Sequence, residues 1–221
     1  MKTKLLILTA AVAVAGAIAA KAQTVYSVNV VGYVNVTLYP GYNLVANPLN
    51  TTNNTIGSLL ANVPRGTMLY KYNNATGLYA TYAFEEDDDG ILGWQPNGNA
   101  TLNPGEGAFI RNTTGTNLII TFVGEVLQGV LTNTLPTGYS IRSSMVPQTG
   151  QVDSILQMPS NSGDLIYKFN PTMGRYDTFS YEEDDYGILG WQPQSPVINV
   201  GEAFFIRRLS AGEWIRNFIV Q

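Results

Sequence analysis

The sequence predicts an all-β protein made of two tandem, antiparallel, β-sandwich-like modules that arose by internal duplication. Three observations support this fold class. The 221-residue chain is rich in glycine (22) and tyrosine (13), which suit turns and strands better than helices. Apolar and polar residues alternate along several segments, as they do in half-buried strands. A set of motifs also recurs about 97 residues further along the chain.

The duplication is closest in an acidic segment. Residues 85–96 read EEDDDGILGWQP, and residues 182–193 read EEDDYGILGWQP. Two copies are too few for a solenoid, whose stacked repeats number at least about three. Two small domains, or two halves of one pseudo-symmetric domain, are therefore expected. The other matching pairs are GYNL at 41–44 with GYSI at 138–141, LYKYN at 69–73 with IYKFN at 166–170, and GEGAFIR at 105–111 with GEAFFIR at 201–207.

The start of the chain is typical of a secretory signal peptide. Lys2 and Lys4 precede an apolar run of about 15 residues, and Ala20-Lys21-Ala22 is an A-x-A cleavage site. The run is shorter than the roughly 20 residues that a membrane span needs. We therefore expect export to the periplasm, the cell surface or the medium, with no membrane span after cleavage. The expected divisions are a signal peptide at 1–22, module one at 23–124 and module two at 125–221.

The composition excludes several kinds of chemistry. The sequence has no cysteine and no histidine, which excludes disulfides, cysteine nucleophiles, Ser-His triads and the usual zinc sites. Removal of residues 1–22 leaves a net charge of about −7, so nucleic acids and anionic membrane surfaces are not expected partners. Carboxylate chemistry, an oxygen-ligated metal ion, or no catalysis at all remains.

Alternation and turn residues predict the local structure. Residues 25–38 predict a long half-buried strand with a bulge or bend at Gly32, and this strand can pair within its own module or with a neighbouring molecule. Residues 73–77 and 170–174 predict hairpin loops. Short helical segments are expected at 55–61 and 153–158. We expect the following side chains to be largely buried: Tyr42, Ile91, Leu92, Trp94, Phe109, Ile110, Phe122, Tyr139, Ile188, Leu189, Trp191, Phe205, Ile206 and Phe218.

Two motifs carry a resemblance to known proteins. Residues 41–48 (GYNLVANP) and 104–111 (PGEGAFIR) resemble the opening and closing segments of a β module common in exported bacterial proteins. Residues 23–221 as a whole resemble a family of small, internally duplicated, secreted bacterial β proteins of unassigned activity. The resemblance implies a secreted β fold and carries over no catalytic residue. Copy two departs from the opening motif because Ser144 stands where copy one has Asn47, so a binding role of Asn47 would be absent there.

The acidic runs are candidate calcium sites. Adjacent carboxylates repel each other, so the folded chain must either solvate them or supply a cation. Ca²⁺ takes 6–8 oxygen ligands, carboxylates among them. The runs lack the spacers of an EF-hand loop, so a solvated acidic loop with no cofactor is the alternative. Arg111 and Arg207 could pair with the runs or with Glu106 and Glu202. The candidate ligands are Glu86, Asp87, Asp88, Glu183, Asp184 and Asp185.

Trp94 and Trp191 follow the acidic runs and are candidate ligand-binding residues. An exposed indole could stack on the apolar face of a sugar. The alternative is a core tryptophan beneath the loop, which is the commoner arrangement in a sandwich.

Three functional classes stay open. The first is a secreted, non-enzymatic structural or adhesive envelope protein with a capacity to self-assemble. The second is a Ca²⁺-assisted carbohydrate-binding module with one site in each copy. The third, a carboxylate-based glycoside hydrolase, has the least support, because it needs two carboxylates about 5–10 Å apart across a cleft. We therefore expect no catalytic residues, and either a second copy of the chain or an extracellular glycan as the partner.

Overall fold

The computed structural model describes residues 30–220, and the predicted signal peptide lies outside them. Within this range the protein is nearly all β, which confirms the predicted fold class. The single helix of the described residues, α1, has four residues. Accordingly, no helix in the described range is long and apolar enough to cross a bilayer.

Seven strands occur in the same order in both halves of the chain, whereas a short helix occurs in the first half and two additional two-residue strands occur in the second. The first half contains β1 (Val31–Leu38), β2 (Gly41–Val45), α1 (Ile56–Leu59), β3 (Met68–Asn73), β4 (Leu78–Glu86), β5 (Leu92–Gln95), β6 (Ala108–Asn112) and β7 (Leu118–Glu125). The second half contains β8 (Gly129–Leu135), β9 (Gly138–Arg142), β10 (Gly150–Gln151), β11 (Leu165–Asn170), β12 (Arg175–Glu183), β13 (Leu189–Gln192), β14 (Val197–Ile198), β15 (Phe204–Arg208) and β16 (Gly212–Phe218).

The duplicated sequence folds into a duplicated topology. One five-stranded antiparallel sheet has the order β2-β6-β3-β4-β5, and the other has the equivalent order β9-β15-β11-β12-β13. In each half the first and last long strands form a separate antiparallel ribbon, β1 with β7 and β8 with β16. We refer to β1–β7 as module one and to β8–β16 as module two.

Each ribbon covers one face of its own five-stranded sheet. In module one, Leu69 and Ile110 of the sheet pack in one cluster with Leu38 and Phe122 of the ribbon. In module two, Ile166 and Ile206 of the sheet pack in the corresponding cluster with Trp214 and other ribbon residues. Each module therefore has its own sandwich core, and the opposite face of its sheet points away from that core.

Strand β1 pairs within its own module. Its side chains alternate as predicted, with Val34, Val36 and Leu38 turned inward and Val31 and Tyr33 exposed. All eight residues of β1 pair with β7 in continuous antiparallel register. Of the two expected pairings, within the module or with a neighbouring molecule, this is the pairing within the module. The part of the predicted strand before Val30 lies outside the described residues.

Of the bulge or bend predicted at Gly32, the bulge is wrong. The register of β1 and β7 runs through Gly32 without a slip. A Cβ atom at Gly32 would lie 2.6 Å from Cδ2 of Leu49, so this glycine permits close packing of the following loop. The helix predicted at 153–158 is also wrong, because the segment forms turns. There the Asp153 carboxylate accepts hydrogen bonds from Ser154 N (2.6 Å) and Ser195 Oγ (2.6 Å).

The predicted burial is wrong for six side chains. Ile91 and Leu92 are exposed because they follow a hairpin turn at the end of the sheet, and Ile188 and Leu189 repeat this arrangement. The remaining two, Tyr42 and Tyr139, lie on the sheet faces that point away from the module cores. Phe218 is half-buried. The side chains that are buried as predicted are Trp94, Phe109, Ile110, Phe122, Trp191, Phe205 and Ile206.

The two modules join through reciprocal backbone contacts. The amide of Ala46 donates to Gly201 O (2.9 Å), and the equivalent amide of Ser143 donates to Gly105 O (3.1 Å). Isolated β-bridges repeat the same reciprocity, Val45 with Glu202 and Arg142 with Glu106. Because each contact has a counterpart at the equivalent position, the modules are related by an approximate twofold axis.

Aromatic rings meet across this axis. The rings of Tyr72 and Phe205 lie 5.2 Å apart between centroids, and the equivalent pair Phe169 and Phe109 also lies 5.2 Å apart. Gly107 permits this approach, since a Cβ atom there would lie 2.4 Å from the Cβ atom of Ala203. The junction is therefore a packed core shared by the two modules.

The modules differ inside their cores. Asp164 and Arg208 of module two are almost completely buried and form an ion pair, with 3.2 Å between Asp164 Oδ2 and Arg208 Nε. Asp164 Oδ2 also accepts a hydrogen bond from Asn161 N (2.9 Å), whereas Asp164 Oδ1 and the Nε and Nη1 atoms of Arg208 have no hydrogen-bond partner. Module one has the neutral residues Thr67 and Asn112 at the equivalent positions.

We expect Arg208→Asn to lower the free energy of unfolding by about 3–5 kcal/mol, because it leaves the Asp164 carboxylate buried without its counter-charge. The double variant Asp164→Thr with Arg208→Asn installs the residues of module one and should recover most of that loss. Urea denaturation followed by tryptophan fluorescence measures both variants. A double variant no more stable than the single one would show that the ion pair is not the cause.

Candidate functional site

We refer to the sheet face that points away from its own module core as the outer face. The outer faces of the two five-stranded sheets carry most of the aromatic side chains that lie outside the module cores. Successive side chains of a strand point to opposite faces. In β3, Leu69 therefore packs into the module core while Tyr70 and Tyr72 pack against the cluster between the modules. Leu69 pairs with Ile110 and Tyr70 with Phe109 in the neighbouring strand, so both strands separate core and outer-face residues in the same way.

The sheets meet along only part of these faces, and the remainder forms a cleft. Its larger pocket, pocket A, has a volume of about 740 Å³ and is bordered by the hairpin loop at 171–174. The rings of pocket A come from both modules, so a ligand there contacts both. They are Tyr42, Tyr70, Tyr79, Phe109, Phe169 and Tyr176.

A second pocket, pocket B, has a volume of about 380 Å³. Its six rings are those that the duplication places at the equivalent positions, namely Tyr139, Tyr167, Tyr176, Phe205, Tyr72 and Tyr79. Tyr79 and Tyr176 are equivalent to each other and line both pockets. We refer to pockets A and B together as the tyrosine cleft.

The tyrosines of the cleft are neutral hydrogen-bonding groups. Burial, followed by the neighbouring hydroxyls of Tyr176 and Tyr72, raises the pKa of Tyr79 to about 12. Burial also raises the pKa of Tyr176 and that of Tyr70. Burial, then the proximity of Tyr139, raises the pKa of Tyr167, and Arg207 partly opposes this. These hydroxyls therefore remain protonated at neutral pH and can both donate and accept hydrogen bonds.

Arg111 lies at the edge of the cleft. Its guanidinium carbon is 5.7 Å from the ring centroid of Tyr42, a cation–π distance. The predicted pairing of Arg111 and Arg207 with Glu106 and Glu202 is wrong, because lysines take that place. Lys71 Nζ lies 3.0 Å from Glu106 Oε2, and the equivalent Lys168 Nζ lies 3.2 Å from Glu202 Oε1. Arg111 is thus left at the surface beside the tyrosines.

The two candidate tryptophans belong to the module cores. Trp94 is 5% exposed and Trp191 is 4% exposed, so neither presents a ring face for a sugar to stack on. Trp94 Nε1 donates a hydrogen bond to Leu60 O (3.2 Å), and its ring packs against Phe84. Their burial supports the alternative that these tryptophans are core residues beneath the loops.

The acidic runs form tight turns between β4 and β5 and between β12 and β13. Asp87 Oδ1 accepts hydrogen bonds from Asp89 N (3.0 Å) and Ile91 N (2.8 Å). Asp184 Oδ1 likewise accepts hydrogen bonds from Tyr186 N (2.9 Å) and Ile188 N (2.9 Å). One carboxylate of each run therefore holds its own turn together.

The other candidate calcium ligands are spread along these turns. Glu86 pairs with Arg65 at 2.9 Å, and the side chains of Asp88, Glu183 and Asp185 are exposed. Within residues 30–220, no group of three or more acidic side chains is arranged to hold a metal ion. The calcium hypothesis therefore rests on the sequence alone and stays a prediction.

The asparagine of the opening motif has a structural role. The buried Asn47 accepts a hydrogen bond from Leu49 N (3.1 Å) and donates one to Leu102 O (3.1 Å), which joins two loops. In module two, Ser144 at the equivalent position bonds only within its own turn, to Val146. The difference between the copies at this position therefore concerns loop packing.

Another cavity, of about 370 Å³, lies between residues 58–63 and strand β7. Its lining side chains are aliphatic, hydroxyl or amide groups, without an aromatic ring or a charge. The tyrosine cleft combines more aromatic surface with more hydrogen-bonding groups, which is the usual character of a binding site.

Comparison of the chain with known protein families, with curated proteins and with solved structures finds no match. The residues of the site therefore carry the functional argument on their own. Reasoning from the sequence placed the tyrosine runs on strands but did not identify them as a site. The available signal was that β3 and β11 carry apolar or aromatic side chains on both parities, which indicates a sheet with two packed faces.

The calcium hypothesis predicts that Ca²⁺ raises the melting temperature, because a ligand of the native state stabilises it by about 1.4 kcal/mol at ten times its Kd. Asp87→Asn combined with Asp184→Asn should abolish that increase. Because an asparagine Oδ1 can still accept the two backbone hydrogen bonds, the double variant changes charge and keeps the turns. An unchanged melting temperature in millimolar Ca²⁺ would favour solvated acidic loops, and differential scanning fluorimetry makes the measurement.

Proposed function

We propose that this protein is an exported, non-enzymatic adhesive protein whose tyrosine cleft binds an extended carbohydrate chain. The observation that carries the proposal is the pair of equivalent pockets, each lined by six aromatic rings from two modules. Concave surfaces that join aromatic rings to a few polar groups are the usual form of a binding site.

The rings of the cleft suit the flat face of a sugar. The carbon-bound hydrogens of a pyranose ring are weakly positive, and the face of an aromatic ring is negative. Tyr79 is 43% exposed and Tyr176 is 41% exposed, so both can contact a ligand without unfolding of the chain. Since each pocket has rings from both sheets, the best-matched chain is one with apolar faces on both sides, such as a β-1,4-linked glycan.

Polar groups at the edge of the cleft suit sugar hydroxyls. Arg111 lies beside Tyr42, and Thr81 is exposed on the same sheet face, directly opposite Tyr70 in the neighbouring strand. The tyrosine hydroxyls remain protonated at neutral pH and add donors and acceptors. These groups can replace the water that a sugar chain loses on binding.

The side chains of the cleft support binding over hydrolysis. Glycoside hydrolysis requires two carboxylates on opposite sides of the scissile bond. In the described part of the chain, the residues that line pockets A and B are aromatic, aliphatic, hydroxyl or glycine residues. The acidic runs at 85–89 and 182–185 lie at the turns at the ends of the sheets.

We expect the double variant Tyr79→Ala with Tyr176→Ala to lose at least about 30-fold in affinity for a bound glycan. Removal of two central aromatic contacts costs about 2 kcal/mol or more. Retention of the protein on insoluble cellulose, chitin and xylan, with starch as the α-linked comparison, measures the effect. Both side chains are partly exposed, so circular dichroism should show that the variant still folds.

The matched control is Tyr186→Ala, which removes a tyrosine that is 89% exposed and lies outside the cleft. It should bind as the wild type does. Absence of binding to every polysaccharide by the wild type, or equal binding by the double variant and the control, would contradict the proposed function.

A further inference from the structure

Pockets A and B lie side by side and share part of their lining. Tyr79 and Tyr176 contribute to both, whereas Tyr42 and Tyr70 belong to pocket A and Tyr139 and Tyr167 to pocket B. The two shared tyrosines therefore lie where the two pockets adjoin. Each cavity has its own tyrosine pair, equivalent by the duplication.

We propose that the two pockets are separate sites that bind one glycan segment each, so that a single chain of this protein bridges two polysaccharide strands. This inference rests on the proposed function and extends it. An adhesive protein holds two surfaces or polymers together, and a bivalent cleft provides this without self-association. Linked sites also gain avidity, which can exceed the affinity of one site by about 10²–10⁴-fold.

The pair Tyr42 and Tyr70 has ring centroids 5.7 Å apart in pocket A, and the equivalent pair Tyr139 and Tyr167 has centroids 6.1 Å apart in pocket B. The same tilted arrangement of two tyrosines is thus built twice. Interaction of the Tyr42 hydroxyl with Tyr70, and of the Tyr139 hydroxyl with Tyr167, contributes to the raised pKa of Tyr70 and of Tyr167. Two equivalent sets of contacts are what two equivalent ligand segments require.

The pockets are equivalent but not identical. Pocket A is larger, and the loop at 171–174 adds Pro171 and Met173 to its border. The equivalent loop at 74–77 does not border pocket B. We therefore expect the two sites to bind the same sugar with different affinities, the tighter being pocket A because it offers more contact surface.

Isothermal titration of the full chain with cellohexaose and with chitohexaose tests the proposal. The wild type should bind two hexasaccharides per chain. Tyr70→Ala should remove the site in pocket A, and the matched variant Tyr167→Ala should remove the site in pocket B, so that each single variant binds one. The variant with both substitutions should bind none, while Tyr186→Ala should still bind two.

Cross-linking gives a second readout. The wild type should raise the light scattering of soluble hydroxyethyl cellulose near equimolar ratios, and each single variant should bind this polymer without raising its scattering. One hexasaccharide per wild-type chain, or loss of all binding in either single variant, would show one continuous site and overturn the inference while leaving the proposed function intact. Absence of any hexasaccharide or polymer binding by the wild type would overturn the proposed function and the inference with it.

Discussion

Two sheet faces rich in aromatic side chains pack against each other, and this contact joins the two modules. The ring pairs Tyr72–Phe205 and Phe169–Phe109 lie on either side of the approximate twofold axis. Such pairs contribute about 0.5–1.5 kcal/mol each beyond the burial of their surface. Because the sheets meet along only part of their faces, Phe109 and Phe205 are buried while Tyr79 and Tyr176 stay partly exposed. The junction therefore stabilises the molecule and forms the cleft at the same time.

The two copies differ more in their cores than in the cleft. Module two has Trp214 where module one has Leu118, Phe204 where it has Ala108, and a buried ion pair where it has Thr67 and Asn112. The indole of Trp214 donates to Leu156 O (2.8 Å), and Trp191 Nε1 has no hydrogen-bond partner. In the cleft, by contrast, four of the five aromatic positions carry the same residue in both copies, and the fifth exchanges tyrosine for phenylalanine. The equivalent pairs are Tyr42 with Tyr139, Tyr70 with Tyr167, Tyr72 with Phe169, Tyr79 with Tyr176, and Phe109 with Phe205.

Local patterns in the sequence predicted the local structure well. The alternation ending at Leu38 predicted β1, and the turn residues at 73–77 and 170–174 predicted two hairpins. Local patterns did not predict whether a side chain is buried, because burial depends on which sheet faces pack against each other. Tyr42 was expected to be buried, yet it lies on the face that points away from the module core and is 45% exposed. The predicted burial of Ile91 and Leu92 is wrong for a similar reason. An apolar pair after a turn is buried only if another element packs over it.

Local sequence patterns could not predict the candidate site, because side chains of both modules form it. Trp94 and Trp191 stood out in the sequence beside the acidic runs, yet the strand pleat turns them into the cores. The tyrosines form a candidate site only because two sheets, which lie about 97 residues apart in the chain, pack against each other. Repetition predicted two similar folds, and it did not predict that their outer faces pack together.

We infer that the modules form one rigid unit through this reciprocal aromatic contact. Solution NMR of residues 23–221 tests this inference. We expect a single rotational correlation time for backbone amides of both modules, together with nuclear Overhauser effects between the rings of Tyr72 and Phe205 and between those of Phe109 and Phe169. Two shorter and different correlation times without these ring contacts would mean that the modules tumble independently and that the aromatic contact does not hold them together.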